Sequence, residues 1–283
     1  MLLALAIFDA MDTIKRTQEA YGFLWSKEKE DSSPQQWHFN KMQEAIDEPI
    51  VRGSVGIDIG SGHGFDTYIM AKNNPQVKIF SIDISDGIFN TTRLISGLNN
   101  VKTIKCSCLD MPLKDGVFDF AYSFGVLHHT LSPKQGLLEI FRILKNNSPA
   151  FLYLYEDHCE SPVKYIAIRM VSAIRYFTIS MPQKVLYKLS WVFSPFVYLI
   201  FTLPAKILRI SKKTERLSER IPFNFGKDFF SLRGDLYDRF SAPIEHRFSS
   251  KKIRILFEEC GFKDINIGRL KGISGWVAWG YKK

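Results

Sequence analysis

Among the four cysteines, Cys106, Cys108, Cys159 and Cys260, there is no C-x-x-C pair, and no Cys/His cluster has the spacing of a zinc site. So few cysteines in 283 residues exclude a disulfide framework as the basis of the fold. A reducing, cytoplasmic setting with structural thiols is expected. No secretory leader is expected either. The start, MLLALAIFDAMD, is apolar for only eight residues, has no basic segment, and meets Asp9 and Asp12 at once. No internal repeat or low-complexity segment is visible. Disorder is excluded by a hydrophobic fraction of 46% against 24% charged residues.

Acidic residues are missing from one long stretch. Between Pro162 and Lys213 there are nine Lys or Arg and no Asp or Glu. That segment alone carries a formal +9, equal to the net charge of the whole chain, so the remainder is neutral overall. Such a balance suggests nucleic acid, an anionic membrane or an anionic substrate. The same segment contains LSWVFSPFVYLIFTLPA (189–205), 17 residues without a charge. That is short of the ~20 apolar residues of a spanning helix. Pro195 and Pro204 are expected to break it. An interfacial segment flanked by Lys and Arg is therefore expected, or a helical lid whose apolar face closes a pocket.

What is present elsewhere is an alternation. Residues 1–50 look helical, with Tyr21, Phe23 and Trp25 close together and a loop marked by Ser32, Ser33 and Pro34. Apolar, β-branched runs then follow at 54–60, 77–83, 101–107, 118–124 and 150–156, separated by helix-length segments at 65–74, 86–98 and 134–145. Such runs, buried on both sides, predict a parallel, doubly wound α/β sheet. The pattern stops near residue 157. It resumes with a helix at 249–260, then a hairpin pair, 262–270 and 274–282, around Lys271–Gly272. The predicted organisation is a helical N-terminal cap (1–49), a core (50–157), a basic, hydrophobic insertion (158–248), and a helix and antiparallel hairpin completing the sheet (249–283).

After the first run comes Asp58-Ile59-Gly60-Ser61-Gly62-His63-Gly64. Its G-x-G-x-G spacing lets the backbone turn tightly and approach a ligand closely. Phe65 stands where a dinucleotide fingerprint needs its third glycine, and no G-K-[ST] follows as in a Walker A loop. Asp83 ends the second run, 19 residues after Gly64. A carboxylate there can accept both hydroxyls of a ribose, or it can open the next helix as a cap together with Ser85.

IDIGSGHG, SIDIS, KCSCLDMPLKDGVFDFAYSFGVLHHT and QGLLEIFRILK together resemble the class I S-adenosylmethionine-dependent methyltransferases, over roughly residues 50–156 with the C-terminal hairpin extending the match. The resemblance implies a Rossmann-like seven-stranded sheet and S-adenosylmethionine as cofactor. Asp58 would organise the loop and the methionine end. Gly60, Ser61, Gly62 and Gly64 would form the loop beneath it. Asp83 would bind the ribose and Ile84 would pack on the adenine. Ser107 and Cys108 would meet the adenine edge, and Phe124 would offer backbone near the methionine group. Many relatives carry Asp where this chain has Ser107, so Asp110 is either a substitute acceptor or a turn residue before Pro112.

His128 and His129 follow the fourth run, at the ligand edge of such a sheet. They are the candidate catalytic residues, as a base or as groups that shape the pocket. Tyr155, Glu156 and Asp157 also face the expected substrate side. The expected acceptor is a bulky or apolar, small or lipid-like molecule, with peripheral membrane contact through 162–213. RNA is the alternative acceptor, and a non-catalytic S-adenosylmethionine-binding, membrane-associated protein is the third reading. DNA is excluded: Ser123-Phe124-Gly125-Val126 replaces the [DNS]-P-P-[YFW] of amino-group DNA methyltransferases, and the Pro-Cys of the cytosine C5 enzymes is absent.

Overall fold

The apolar runs fold as strands because each alternates its side chains between two buried faces. A computed structural model of the chain describes residues 2–27, 36–218, 221, 229–270 and 274–283. The strands are β1 (Val55–Ile59), β2 (Lys78–Asp83), β3 (Val101–Lys105), β4 (Phe120–Phe124), β5 (Pro149–Leu154), β6 (Phe262–Arg269) and β7 (Trp276–Lys282). They form one sheet in the order β3-β2-β1-β4-β5-β7-β6. The first five are mutually parallel, whereas β7 runs antiparallel to both β5 and β6. This is the Rossmann-like seven-stranded sheet with a C-terminal antiparallel hairpin that the resemblance implies. The loop marked by Ser32, Ser33 and Pro34 and the turn at Lys271–Gly272 lie outside the described residues.

Helices α1 (Leu2–Lys27), α2 (Gln36–Glu44), α3 (Phe65–Asn73), α4 (Gly87–Leu94), α5 (Pro133–Ile143) and α11 (Ser250–Glu259) belong with the sheet. On one face Ile57, Ile59, Ala121, Leu152 and Leu154 pack with Leu137 and Ile140 of α5 and Phe257 of α11. On the other, Ile79, Phe120, Tyr122 and Phe151 pack with Met42 of α2 and Met70 of α3. This period of two, with both faces covered, is why the strands read as continuous apolar runs. Two helices begin at serine caps. The Ser132 side chain accepts from the Gln135 amide at the start of α5, and Ser249 accepts from Lys252 at the start of α11.

The chain divides into two compact units, Met1–Glu156 with Ile244–Lys283, and Asp157–Pro243. The sheet unit thus resumes at Ile244, five residues before the expected point. Residues 244–248 are held by backbone pairing: the His246 amide donates to His128 O (2.8 Å) and the Phe248 amide to Tyr155 O (2.9 Å). Such a tethered extended segment has no periodicity by which to find it.

The second unit is helical: α6 (Pro162–Thr178), α7 (Gln183–Val197), a π-helical turn (Tyr198–Thr202), α8 (Leu203–Leu208), α9 (Glu215–Ser218) and α10 (Phe229–Ser241). Here the structure corrects an expectation. Pro195 and Pro204 do not break the apolar run, which is helical from Gln183 to Leu208. The π turn follows Pro195 and directly precedes α8 with its Pro204, so both prolines flank a turn that departs from α-helical bonding.

Gly56 shows how close the sheet packing is. A Cβ there would lie 2.0 Å from the ring of buried Phe120. Gly56→Ala should therefore destabilise the chain by about 1–3 kcal/mol, read as a lower thermal midpoint. An unchanged melt would show that Phe120 can move aside at little cost.

Candidate functional site

The glycine loop between β1 and α3 turns through three left-handed glycines, Gly60, Gly62 and Gly64, with φ of 76°, 54° and 88°. Only glycine adopts this conformation without a Cβ penalty. The amides of Gly60 and Ser61 both donate to Ile82 O, at 2.7 and 3.0 Å, which draws the loop toward the end of β2. There the Asp83 carboxylate receives the Gly62 amide on Oδ2 (2.8 Å) and both the amide and the hydroxyl of Ser85 on Oδ1 (2.7 Å each). The Ser85 hydroxyl in turn accepts from the Gly87 amide at the start of α4. The cap reading of Asp83 is thus met through Ser85, and the same carboxylate lines the cavity.

Around this point lies a cavity of about 280 Å³. Asp83 and Ile84 line it beside Gly60. Ser107 and Cys108 come from the loop after β3, and Phe124 from the end of β4. Burial pushes the Cys108 thiol up to about 12, so it stays protonated. Asp110 is an exposed turn residue whose amide donates to Ser107 O, and it does not line the cavity.

Ser61, Gly62 and Gly64 shape the loop rather than the lining. Asp58 is also away from the lining, buried beneath the loop, where it accepts from the Thr67 hydroxyl of α3. Burial, then the charge of Asp66, pushes its carboxyl up to about 8. Asp66 itself receives the Tyr122 hydroxyl (2.7 Å) and the Phe39 amide (3.1 Å), yet burial raises it to about 7.

The two histidines part company. His128 is fully buried, does not line the cavity, and stacks on Tyr155 with ring centres 3.8 Å apart. Both of its ring nitrogens are buried without a hydrogen-bond partner. Burial first, then neighbouring His129, Arg247 and His246, holds its pKa well below the ordinary imidazole value, so it is neutral. His129 does line the cavity, and its Nδ1 lies 2.7 Å from Ile244 O. A carbonyl only accepts, so Nδ1 carries the proton and Nε2 the lone pair. Of the other sequence candidates, Glu156 is buried and accepts both guanidinium arms of Arg269, at 2.6 and 2.7 Å.

Sequence reasoning missed one whole wall. Ile14, Thr17, Gln18, Tyr21 and Trp25 of α1 line the cavity from a single helix face. Their 3- and 4-residue spacing is the available signal. Trp25 lies against the loop: a Cβ on Gly62 would come within 2.9 Å of its indole. Ile244 closes another side. Phe124 stands in an aromatic stack between His38 and Tyr153, with centre distances of 4.3 and 4.2 Å.

The model of a family described as a methyltransferase domain matches residues 57–152. The tRNA (carboxymethyluridine(34)-5-O)-methyltransferase of Saccharomyces cerevisiae is 34% identical over 107 residues, 36% of this chain and 36% of that protein. The chain thus spans about a third of the length of this curated relative. A crystal structure of a candidate O-methyltransferase from Nostoc punctiforme gives a TM-score of 0.53 at 13% identity, covering 93% of this chain and 60% of that one. A SAM-dependent methyltransferase from Aquifex aeolicus gives 0.47 at 14%, covering 90% and 100%. At these identities the first structure supports the fold alone.

Two outcomes are expected. S-adenosylmethionine should bind the chain, and Asp83→Ala should weaken binding by about 1–3 kcal/mol by leaving ribose hydroxyls unpaired. Unchanged affinity in calorimetry would remove Asp83 from the site. The second concerns pH. Asp58 and Asp66 have folded values above their unfolded ones, so the folded state holds the extra protons. Stability from these groups is then lost as pH rises toward about 8. The thermal midpoint should fall from about pH 4 to about pH 8 and level off above that, and Asp66→Asn should flatten that fall. A rising midpoint would show that both acids ionise freely.

Proposed function

We propose that residues 57–152, which match the methyltransferase-domain family, work as a class I S-adenosylmethionine-dependent methyltransferase and that the chain methylates a bulky or apolar, small-molecule or lipid-like acceptor. The cofactor of this domain is S-adenosylmethionine. The residues present fit it: a carboxylate at the end of β2, an apolar platform in Ile84 and Leu109, a polar edge in Ser107, and a glycine backbone all meet one cavity. The observation that carries the acceptor reading is the rest of that lining. Ile14, Leu131 and Ile244 are apolar, Tyr21 and Trp25 are aromatic, Thr17, Gln18, His129 and Thr130 are uncharged polar groups among them, and Asp83 is the one carboxylate of the lining.

The bound cofactor supplies an activated methyl on a sulfonium whose leaving group is neutral. The protein's task is therefore alignment, and a base is needed only if the acceptor must lose a proton. Asp83 and the loop amides hold one side of the cavity. Tyr21 and Trp25 cover it against water. His129 lines the cavity with a ring fixed by Ile244 O, and its Nε2 is itself buried. Its function is to orient the acceptor, with proton removal as the alternative. His128 has no access to the cavity and serves the packing under Tyr155.

RNA is the second reading. It is favoured by one observation, the tRNA methyltransferase named above, together with the net charge of +9. Label transfer from methyl-labelled S-adenosylmethionine into lipid, quinone, sugar and RNA fractions decides between them. Label in RNA alone would replace the apolar acceptor, and label in none would support a non-catalytic, S-adenosylmethionine-binding protein. His129→Ala should raise the acceptor KM and leave cofactor affinity and the pH profile in place. Loss of an ascending limb in the pH–rate profile with KM unchanged would instead make His129 the base.

A further inference from the structure

We propose that the helical unit Asp157–Pro243 docks the chain peripherally on an anionic lipid surface, with α6 and the run from α7 to α8 lying in the plane of the headgroups. The proposal is independent of methyl transfer. It begins from an inverted polarity. Along the 26-residue run Gln183–Leu208, the buried positions include small or polar residues: Ser190 is 5% exposed, Ser194 2%, and Thr202 and Ala205 0%. The large apolar residues point outward: Trp191 is 62% exposed, Phe196 58% and Ile200 62%, with Phe193 and Leu199 beside them. A helix on a water-facing surface has the opposite arrangement. Helix α6 repeats the feature with exposed Ile166, Met170, Ile174 and Phe177 at 3- and 4-residue spacing, one stripe on the helix. Exposed apolar surface on this scale marks an interaction site.

Charge identifies the partner. Lys184 and Lys188 precede the apolar core of the run, and Lys206, Arg209, Lys212 and Lys213 follow it, in a segment without any Asp or Glu. Basic residues at both ends of an aromatic-rich apolar face match anionic headgroups over acyl chains. The packing decides between lying on a bilayer and crossing it. The run is long enough to cross, at about 39 Å. However, α10 packs against α7: the Tyr237 hydroxyl donates to Gln183 Oε1 (2.6 Å), and the Arg233 guanidinium sits 4.7 Å from the Tyr187 ring. Helix α10 also carries Asp235, Asp238 and Arg239. Crossing would carry these charges into the hydrocarbon, which is costly. Lying in the plane leaves them outside the hydrocarbon.

The test is sedimentation of the full chain with phosphatidylcholine vesicles and with vesicles one-third phosphatidylglycerol. The chain should pellet with the anionic vesicles in about 50 mM salt and be largely released in about 0.5 M. Replacing Lys206, Arg209, Lys212 and Lys213 together by Gln should weaken vesicle binding at least ~10-fold, since each basic residue near such a surface contributes about 1 kcal/mol. Trp191→Ser with Phe196→Ser should weaken it as well. Both variants should keep the wild-type affinity for S-adenosylmethionine, which shows that they fold. If a variant fails that control, the salt and lipid dependence of the wild type decides. Wild type that stays in the supernatant with anionic vesicles at low salt overturns the proposal. Binding to tRNA without vesicle binding would assign the charge to RNA. A stable dimer that ignores vesicles would assign the apolar face to self-association.

Discussion

The Asp83 carboxylate receives one backbone amide from the glycine loop and two donors from Ser85, and the cavity is built outward from that junction. Without it, the loop after β1 would keep the Gly60 and Ser61 amides on Ile82 O but lose its side-chain tie to the turn before α4. With it, the Gly62 amide is fixed at 2.8 Å from the end of β2. The carbonyl of Gly62 is taken by the Thr91 hydroxyl of α4 at 3.0 Å, so the loop is held from both sides. The left-handed glycines make that approach feasible, and Trp25 then lies directly on the loop.

The arrangement brings acids together. Asp58, Asp66 and Asp83 all lie at or below the loop, and burial raises all three. Their mutual repulsion disfavours full ionisation, so the folded state takes up protons here near neutral pH. Local rules of stability are broken most often where a ligand must be held. Tyr122, Thr67 and the Phe39 amide offset part of the cost by donating to the carboxylates.

Much of this was legible in the sequence because it is local. The strand runs, the G-x-G-x-G loop and Asp83 are short-range patterns with a direct backbone meaning. Strand ends were less legible: 118–124 shortens to Phe120–Phe124, with Phe118 left as an isolated bridge to Leu144. What stayed hidden depends on tertiary placement. Nothing local shows that Ile14, Tyr21 and Trp25 of the first helix wall the cavity, or that Ile244 holds His129 in one tautomer. The pair His128–His129 reads as two equal candidates, yet neighbouring residues in a 3₁₀ turn face different surroundings, one the cavity and one the core. The prolines of the second unit mislead because a π turn absorbs what an ideal helix could not.

The most direct measurement is a crystal structure of the chain with S-adenosylhomocysteine. The ribose hydroxyls should lie within hydrogen-bond distance of the Asp83 carboxylate, with the adenine on Ile84 and its edge at Ser107. A ligand bound with its ribose away from Asp83, or outside the cavity beside Gly60, would contradict the account.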